Sequence, residues 1–112
     1  MRHTESLKKN RQFRHVYNKG RSAADRLIVV YALKNREPGK NRLGLSVSKK
    51  VGKAVTRNRV RRLIKESYRI IEDGEIQRGF DIVVIARQSS AEAGFHEIFA
   101  SLSALLKKQY IA

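Results

Sequence analysis

The amino-acid sequence predicts an α+β fold: a single-domain α/β sandwich, one sheet with helices packed on it, in the order α-β-β-β-α-β-α. Three observations carry that prediction. Apolar residues recur at helical spacing around Phe13, Val16 and Tyr17, again from Val60 to Ile71, and again from Phe95 to Leu106. Two continuous β-branched runs, RLIVVYALKN at 26–35 and FDIVVIAR at 80–87, read as strands. A Pro-Gly turn cluster and a short alternating segment separate the first run from the middle helix.

Residues 1–7 show no periodicity and are expected to be loose. Helical spacing then runs over 8–19, and Gly20 is its expected stop. Val16 is assigned to the core. Phe13 and Tyr17, interleaved with Lys9, Arg11 and Arg14, fit two roles: core side chains, or aromatic faces on which unpaired bases stack. A short strand at 22–25 precedes the strand at 26–35. The cluster EPGKN at 37–41 turns the chain, so 42–48 is expected to return antiparallel as a hairpin. On that strand Leu43, Leu45 and Val47 point into a core, and Gly44, Ser46 and Ser48 present the other face with almost no bulk. Beside Tyr31, that bare face either floors a groove or receives a closely packed helix.

The middle helix is expected to start at Thr56 as N-cap, with Val55 and Val60 as a hydrophobic staple and Val60, Leu63, Ile64, Ser67 and Ile71 as its buried side. Glu72, Asp73, Gly74 and Glu75 end it and open a loop to Gly79. The run at 80–87 is apolar on both faces, which suits a central or parallel strand. Ser89 with Glu92 fits a capping box for the last helix, whose core is Phe95, Ile98, Phe99, Leu102, Leu105 and Leu106. Lys107 and Lys108 suit its negative end.

Charge is the second theme. The 112 residues carry 25 Lys and Arg against 10 Asp and Glu, a formal net charge of +15, while 41% hydrophobic residues argue against disorder. The excess concentrates in 49–69, where Lys49, Lys50, Lys53, Arg57, Arg59, Arg61, Arg62, Lys65 and Arg69 meet one acid, Glu66. At ~100° per residue, Asn58, Arg61, Arg62, Lys65 and Arg69 fall on one arc opposite the apolar side. Arg57, Arg59, Arg61 and Arg62 crowd the positive end of the helix dipole, which opposes them by about 0.3–1 kcal/mol each. A local rule broken this consistently points to function, and guanidinium forks beside free amides suit phosphate. The plain alternative is a solvated charged face, but such faces mix signs along the helix. Residues 70–106 hold only Arg78 and Arg87 as bases against six acids, so the sequence predicts a binding side for a polyanion and a solvent side.

Several classes are disfavoured. Without cysteine there are no disulfides or thiolate metal sites, which fits a reducing compartment. No apolar run reaches signal-peptide or membrane-span length, so a cytoplasmic protein is expected. His3, His15 and His96 are isolated. Glu72, Asp73 and Glu75 form the one acidic cluster, and Gly44, Gly52 and Gly74 build no phosphate loop. The chain carries binding chemistry without a catalytic constellation.

The segment SVSKKVGKAVTRNRVRRLIKESYR at 46–69 resembles the signature of the bacterial ribonuclease P protein family, with Arg57, Asn58 and Arg59 as its Arg-Asn-Arg motif. KKNRQFRHVYNKG at 8–20, 27–33 with Tyr31, and IARQSSA at 85–91 stand in that family's order and spacing, so the resemblance spans essentially the whole chain. It implies a ribosomal protein S5 domain 2-like fold with a left-handed β-α-β crossover, where the general rule gives a right-handed one. It also implies a non-catalytic protein subunit of an RNA-based endoribonuclease, in which the RNA holds Mg²⁺ and removes the 5′ leader of precursor tRNA. Carried over, Arg57, Asn58, Arg59, Arg61, Arg62 and Lys65 would lie against the catalytic RNA and the cleavage region, and Arg69 extends that strip. Phe13, Tyr17 and Tyr31, with Arg11, Lys49, Lys50 and Lys53, would line a cleft for the leader. The implied partners are the catalytic RNA and precursor tRNA, with no membrane and no obligate protein partner.

Tyr17 stands where the family often has Phe, and Lys65 where Arg is common, which trades a bidentate fork for a point charge. Arg59 lies off the strip, so its contact is either structural or made to another RNA segment. Two further readings compete: a ribosomal or generic structured-RNA-binding protein, and a protein nuclease acting through Glu72, Asp73 and Glu75.

Overall fold

The computed structural model describes residues 3–37, 39–74 and 76–112; Pro38 of the turn cluster and Glu75 of the acidic cluster lie outside the described residues. The elements are β1 (Thr4–Ser6), α1 (Asn10–Lys19), β2 (Arg21–Ala24), β3 (Ile28–Lys34), β4 (Asn41–Ser46), α2 (Ala54–Asp73), β5 (Phe80–Ala86) and α3 (Phe95–Lys108). Short 3-10 turns at Lys49–Val51 and Gln88–Glu92 precede α2 and α3.

The strand with the longest apolar run takes the middle of the sheet. Ile82, Val83 and Val84 of β5 are fully buried, so both faces of the strand need cover. The order is β1-β4-β5-β3-β2, with β5 parallel to β4 and antiparallel to β3. This corrects the expected hairpin: β3 and β4 run in opposite directions but do not pair, because β5 occupies the slot between them. The true hairpin is β2 with β3. Asp25 sets its turn, one carboxylate oxygen accepting from the Leu27 and Ile28 amides at 2.9 and 3.0 Å.

The N-terminal segment is also corrected, from loose chain to edge strand. β1 lies parallel to β4, Thr4 opposite Asn41. The Asn41 amide donates to His3 O at 2.7 Å, the Leu7 amide donates to Leu43 O at 2.9 Å, and the Leu7 side chain is buried. Thr4 anchors β1 to α2: its hydroxyl lies 3.0 Å from the Tyr68 hydroxyl and donates to Glu72. Asn41 donates to the same phenol at 3.3 Å and accepts from the Phe80 amide at 2.9 Å. Burial pushes the Tyr68 phenol up, with the Thr4 and Asn41 hydrogen bonds pulling the other way.

Both helix starts differ from expectation. α2 begins at Ala54 with Lys53 at the cap, and Val55 is 82% exposed, so no staple forms. Gly52, at φ 153°, turns the chain there, and a Cβ on it would sit 3.1 Å from Thr56 Cγ2, so Thr56 packs the turn instead of capping. Ser89 and Glu92 belong to the 3-10 turn. α3 starts at Phe95, with Glu97 accepting from the Gly94 amide at 3.1 Å.

Strand alternation divides the sheet between two unequal covers. Ile28, Val30, Ala32, Ile82, Val84 and Ala86 join Val60, Ile64, Tyr68, Ile98, Leu102 and Leu106 of α2 and α3 in the main core. The opposite face has only α1, where Leu7, Val16 and Val83 form a small core with Phe13, Tyr17, Tyr31, Leu33 and Ile85 half-buried around it. A ten-residue helix is only about 15 Å long and cannot cover the sheet. No helix among the described residues is long and apolar enough to cross a membrane.

Candidate nucleic-acid interface

The partly covered face makes a cleft of about 610 Å³ lined by Asn10, Phe13, Arg14, Tyr17, Leu45 and Ser46. Asn10, Phe13, Arg14 and Tyr17 stand at i, i+3, i+4 and i+7, one stripe of α1. The sheet supplies the other wall. Leu45 and Ser46 of β4 form it; Tyr31, expected there, is outside the lining but meets Tyr17 edge-on, ring centroids 5.1 Å apart, and Phe13 lies 6.4 Å from Tyr17.

The bare strand face turns out to serve both open alternatives, at different residues. Gly44 is buried under α1, and a Cβ there would lie 2.6 Å from Phe13 Cζ, so the aromatic packs where glycine leaves room. Ser46, further along, lines the cleft. Phe13 and Tyr17 likewise combine core packing with exposed ring. Burial pushes the Tyr17 phenol up, a hydrogen bond to Ser46 opposes that, and the nearby Tyr31 adds to the rise. Arg11 is exposed but stands off the lining stripe; Arg14 takes the place expected for it. The i, i+3, i+4, i+7 spacing in the sequence could have found Asn10 and Arg14.

From Ser46 the chain runs directly into the basic segment. Lys49, Lys50 and Lys53 are exposed on the turn joining β4 to α2, outside the cleft lining. Along α2, Asn58, Arg61, Arg62, Lys65, Glu66 and Arg69 share one shallow groove of about 470 Å³. Arg61 donates to the side-chain Oδ1 of Asn58 at 3.3 Å. The free charge ends at Lys65, because Arg69 is held by Glu66 at 2.6 Å and Asp73 at 3.5 Å. The Glu66 carboxylate raises the Arg69 guanidinium above its ordinary value, and Arg69 holds Glu66 below the usual carboxylate range.

The two arginines of the Arg-Asn-Arg motif are not equivalent to those on the strip. Arg59 donates to Ala93 O at 3.1 Å and to Ala91 O, tying α2 to the chain after β5. Arg57 is half-buried, and its Nε is buried with no hydrogen-bond partner among the described residues. Leaving such a donor unmade costs about 1–3 kcal/mol, the kind of local penalty that needs an explanation.

Of the acidic cluster, Glu72 and Asp73 are described, and both line one pocket with His3 and Arg78. Glu72 is buried and accepts from Thr4, Asp73 faces Arg69, and no group of three His, Cys, Asp or Glu among the described residues could hold a metal ion.

The Ribonuclease P family model matches residues 1–110. The ribonuclease P protein component of Clostridium botulinum strain Loch Maree is 56% identical over 102 residues, covering 91% of each chain. That of Clostridioides difficile strain 630 is 53% identical over 109 residues, 97% of this chain and 95% of its own. The solved structure of the Staphylococcus aureus RNase P protein superposes with a TM-score of 0.85 at 42% identity, covering 95% of both chains. The Thermotoga maritima RNase P protein gives 0.82 at 35% identity, covering 93% of this chain and 96% of that one.

Proposed function

Because the chain belongs to the ribonuclease P protein family, we propose that it is the protein subunit of a bacterial ribonuclease P, assisting a catalytic RNA in removing the 5′ leader of precursor tRNA. The observation that carries this reading is continuity. One stretch of chain passes from the floor of an aromatic cleft at Ser46, through Lys49, Lys50 and Lys53, to the cations Arg61, Arg62 and Lys65. An extended single strand needs aromatic faces and a cationic margin, and a folded RNA needs a line of phosphate contacts. The cleft takes the leader, and the α2 strip takes the catalytic RNA near the cleavage region.

Arg57 and Asn58 join that contact, and an RNA acceptor there would satisfy the buried, unpartnered Nε of Arg57. Arg59 supports it from behind by fixing α2 against the chain after β5. Mg²⁺ supplies the hydrolytic chemistry when held by the RNA; the described carboxylates form no set suited to it. The protein's part is to place phosphates and offset their charge, in the cytoplasm, with RNA rather than protein partners.

The test is cleavage of a precursor tRNA at low Mg²⁺ by a bacterial catalytic RNA, with and without this protein, beside a protein-alone lane. Stimulation only with both together is expected. No stimulation would leave a general structured-RNA binder, and cleavage by protein alone would locate the catalyst in the chain. In the same system Tyr17→Ala is expected to weaken binding of leader-bearing tRNA by about 1–3 kcal/mol, Tyr17→Phe much less, and mature tRNA by neither.

A further inference from the structure

A second cationic groove lies at the opposite end of the sheet from the start of α2. It measures about 560 Å³, and its lining includes Lys19, Arg21, Lys34, Arg78, Phe80 and Tyr110 but no Asp or Glu. None of its four cations takes part in an ion pair among the described residues. Tyr110 is 81% exposed, the most conspicuous aromatic on the surface. Its backbone sits at φ 60°, a conformation that non-glycine residues seldom adopt. The chain holds it there: the Ile111 amide donates to Leu106 O at 2.9 Å and the Gln77 amide to Ile111 O at 2.6 Å, with Ile111 fully buried. The ring is therefore presented outward by a fixed turn, beside cations with no internal partner.

The groove's position relates it to the aromatic cleft. α1 carries Phe13 and Tyr17 into the cleft and ends at Lys19; Gly20 then packs against Ala32 O, and Arg21 pairs with Ala32 of β3. β3 carries Tyr31 beside Tyr17 and ends at Lys34. Both elements thus run from the cleft to this groove. From Tyr31 to Lys34 is ~10 Å along a strand, roughly three nucleotides at the ~3.4 Å spacing of a stacked strand. Leu33 on the α1 face and Ala32 and Phe80 on the other both line the groove, so it opens around the sheet's end.

We infer that this groove binds single-stranded RNA as a continuation of the cleft, with phosphates on Lys19, Arg21, Lys34 and Arg78 and a base stacked on Tyr110. The inference rests on the cleft being a single-strand site, and it assigns the groove to nucleotides farther from the cleavage point than those the cleft holds. An acidic peptide could satisfy the cations but would leave the fixed, exposed ring without a role.

The test uses the full chain and two oligouridylates, a 3-mer that matches the length of the cleft and a 12-mer that reaches the groove. The 12-mer is expected to bind about tenfold tighter than the 3-mer, as one stacked base and a few phosphates would give. Tyr110→Ala and the pair Lys34→Glu with Arg78→Glu should each remove most of that gain and leave the 3-mer unchanged, and Tyr110→Phe should keep it. Lys107→Glu with Lys108→Glu, the same charge change on the exposed end of α3, should have a smaller effect. Equal losses for both lengths, no loss, or a charge effect with none from Tyr110→Ala would overturn the inference. The cleft reports separately: Tyr17→Ala must weaken the 3-mer, and if it does not while Tyr110→Ala still weakens the 12-mer, the cleft assignment fails and the groove stands.

Discussion

At the residue scale the arginines of α2 separate by what their nitrogens touch. Arg59 satisfies the carbonyls of Ala91 and Ala93, whereas Arg62 is exposed and makes no ion pair among the described residues. Arg59→Ala would leave both carbonyls without their charged donor, a loss of about 1.5–3 kcal/mol of stability. Arg62→Ala should move stability by less than about 0.5 kcal/mol but weaken RNA binding and lower the log-log salt slope by about 0.7–0.9. Urea midpoints and salt-titrated binding on the two variants check this; Arg59→Ala with native stability would return that residue to the RNA contact. The strip itself was legible, since 100° per residue brings Asn58, Arg61, Arg62 and Lys65 together. Arg59's role was not, because it depends on where the chain after β5 lands. Nor was the pairing of Arg69 with Asp73 at the helix end read from the sequence, although their i, i+4 spacing permits it.

At the element scale the seat of α1 on β4 shapes the cleft. Phe13 occupies the space that Gly44 leaves, with ring atoms 2.6 and 2.7 Å from where a Cβ would be. Gly44→Ala must therefore shift the ring or the helix, at about 1–3 kcal/mol. In a Phe13→Ala background the same substitution should cost much less, giving a coupling of about 1 kcal/mol or more between the sites. Double-mutant unfolding measures it, and strictly additive losses would mean the helix is not seated through this contact. The pattern of small residues on 42–48 showed that something unusual covers that face, but not which side chain. The hairpin misreading has a similar origin. Turn chemistry at 37–41 requires a reversal, and it says nothing of whether the reversing strands pair or leave a slot; the double-sided burial of β5 decides that, from almost forty residues away. β1 was missed because three polar-flanked residues carry no period, and its hold comes from the distant Tyr68 and Glu72.

At the scale of the whole molecule, a net charge of +15 on 112 residues sets how the protein meets RNA. The free cations are spread over the turn before α2, its exposed face and the groove near Tyr110, so long-range attraction comes from several sides, while contact is made where cations line up. If Lys49, Lys50, Lys53, Arg61, Arg62 and Lys65 each neutralise one phosphate, the log-log slope of affinity against salt should lie near −4 to −5, at about 0.7–0.9 per contact. Between 50 and 200 mM salt, affinity for the catalytic RNA should then fall roughly 300- to 2000-fold on that basis. Filter binding or fluorescence titration over this range reads the slope directly. A value near −1 would mean that α2 touches RNA at one end only and that the strip is mostly solvated. A value well beyond −6 would require cations outside the strip, and Arg14 in the cleft with Lys19, Arg21, Lys34 and Arg78 in the groove are unpaired cations among the described residues placed to supply them. The number of phosphates held therefore measures how far RNA extends over this small sheet, independently of any assay of cleavage.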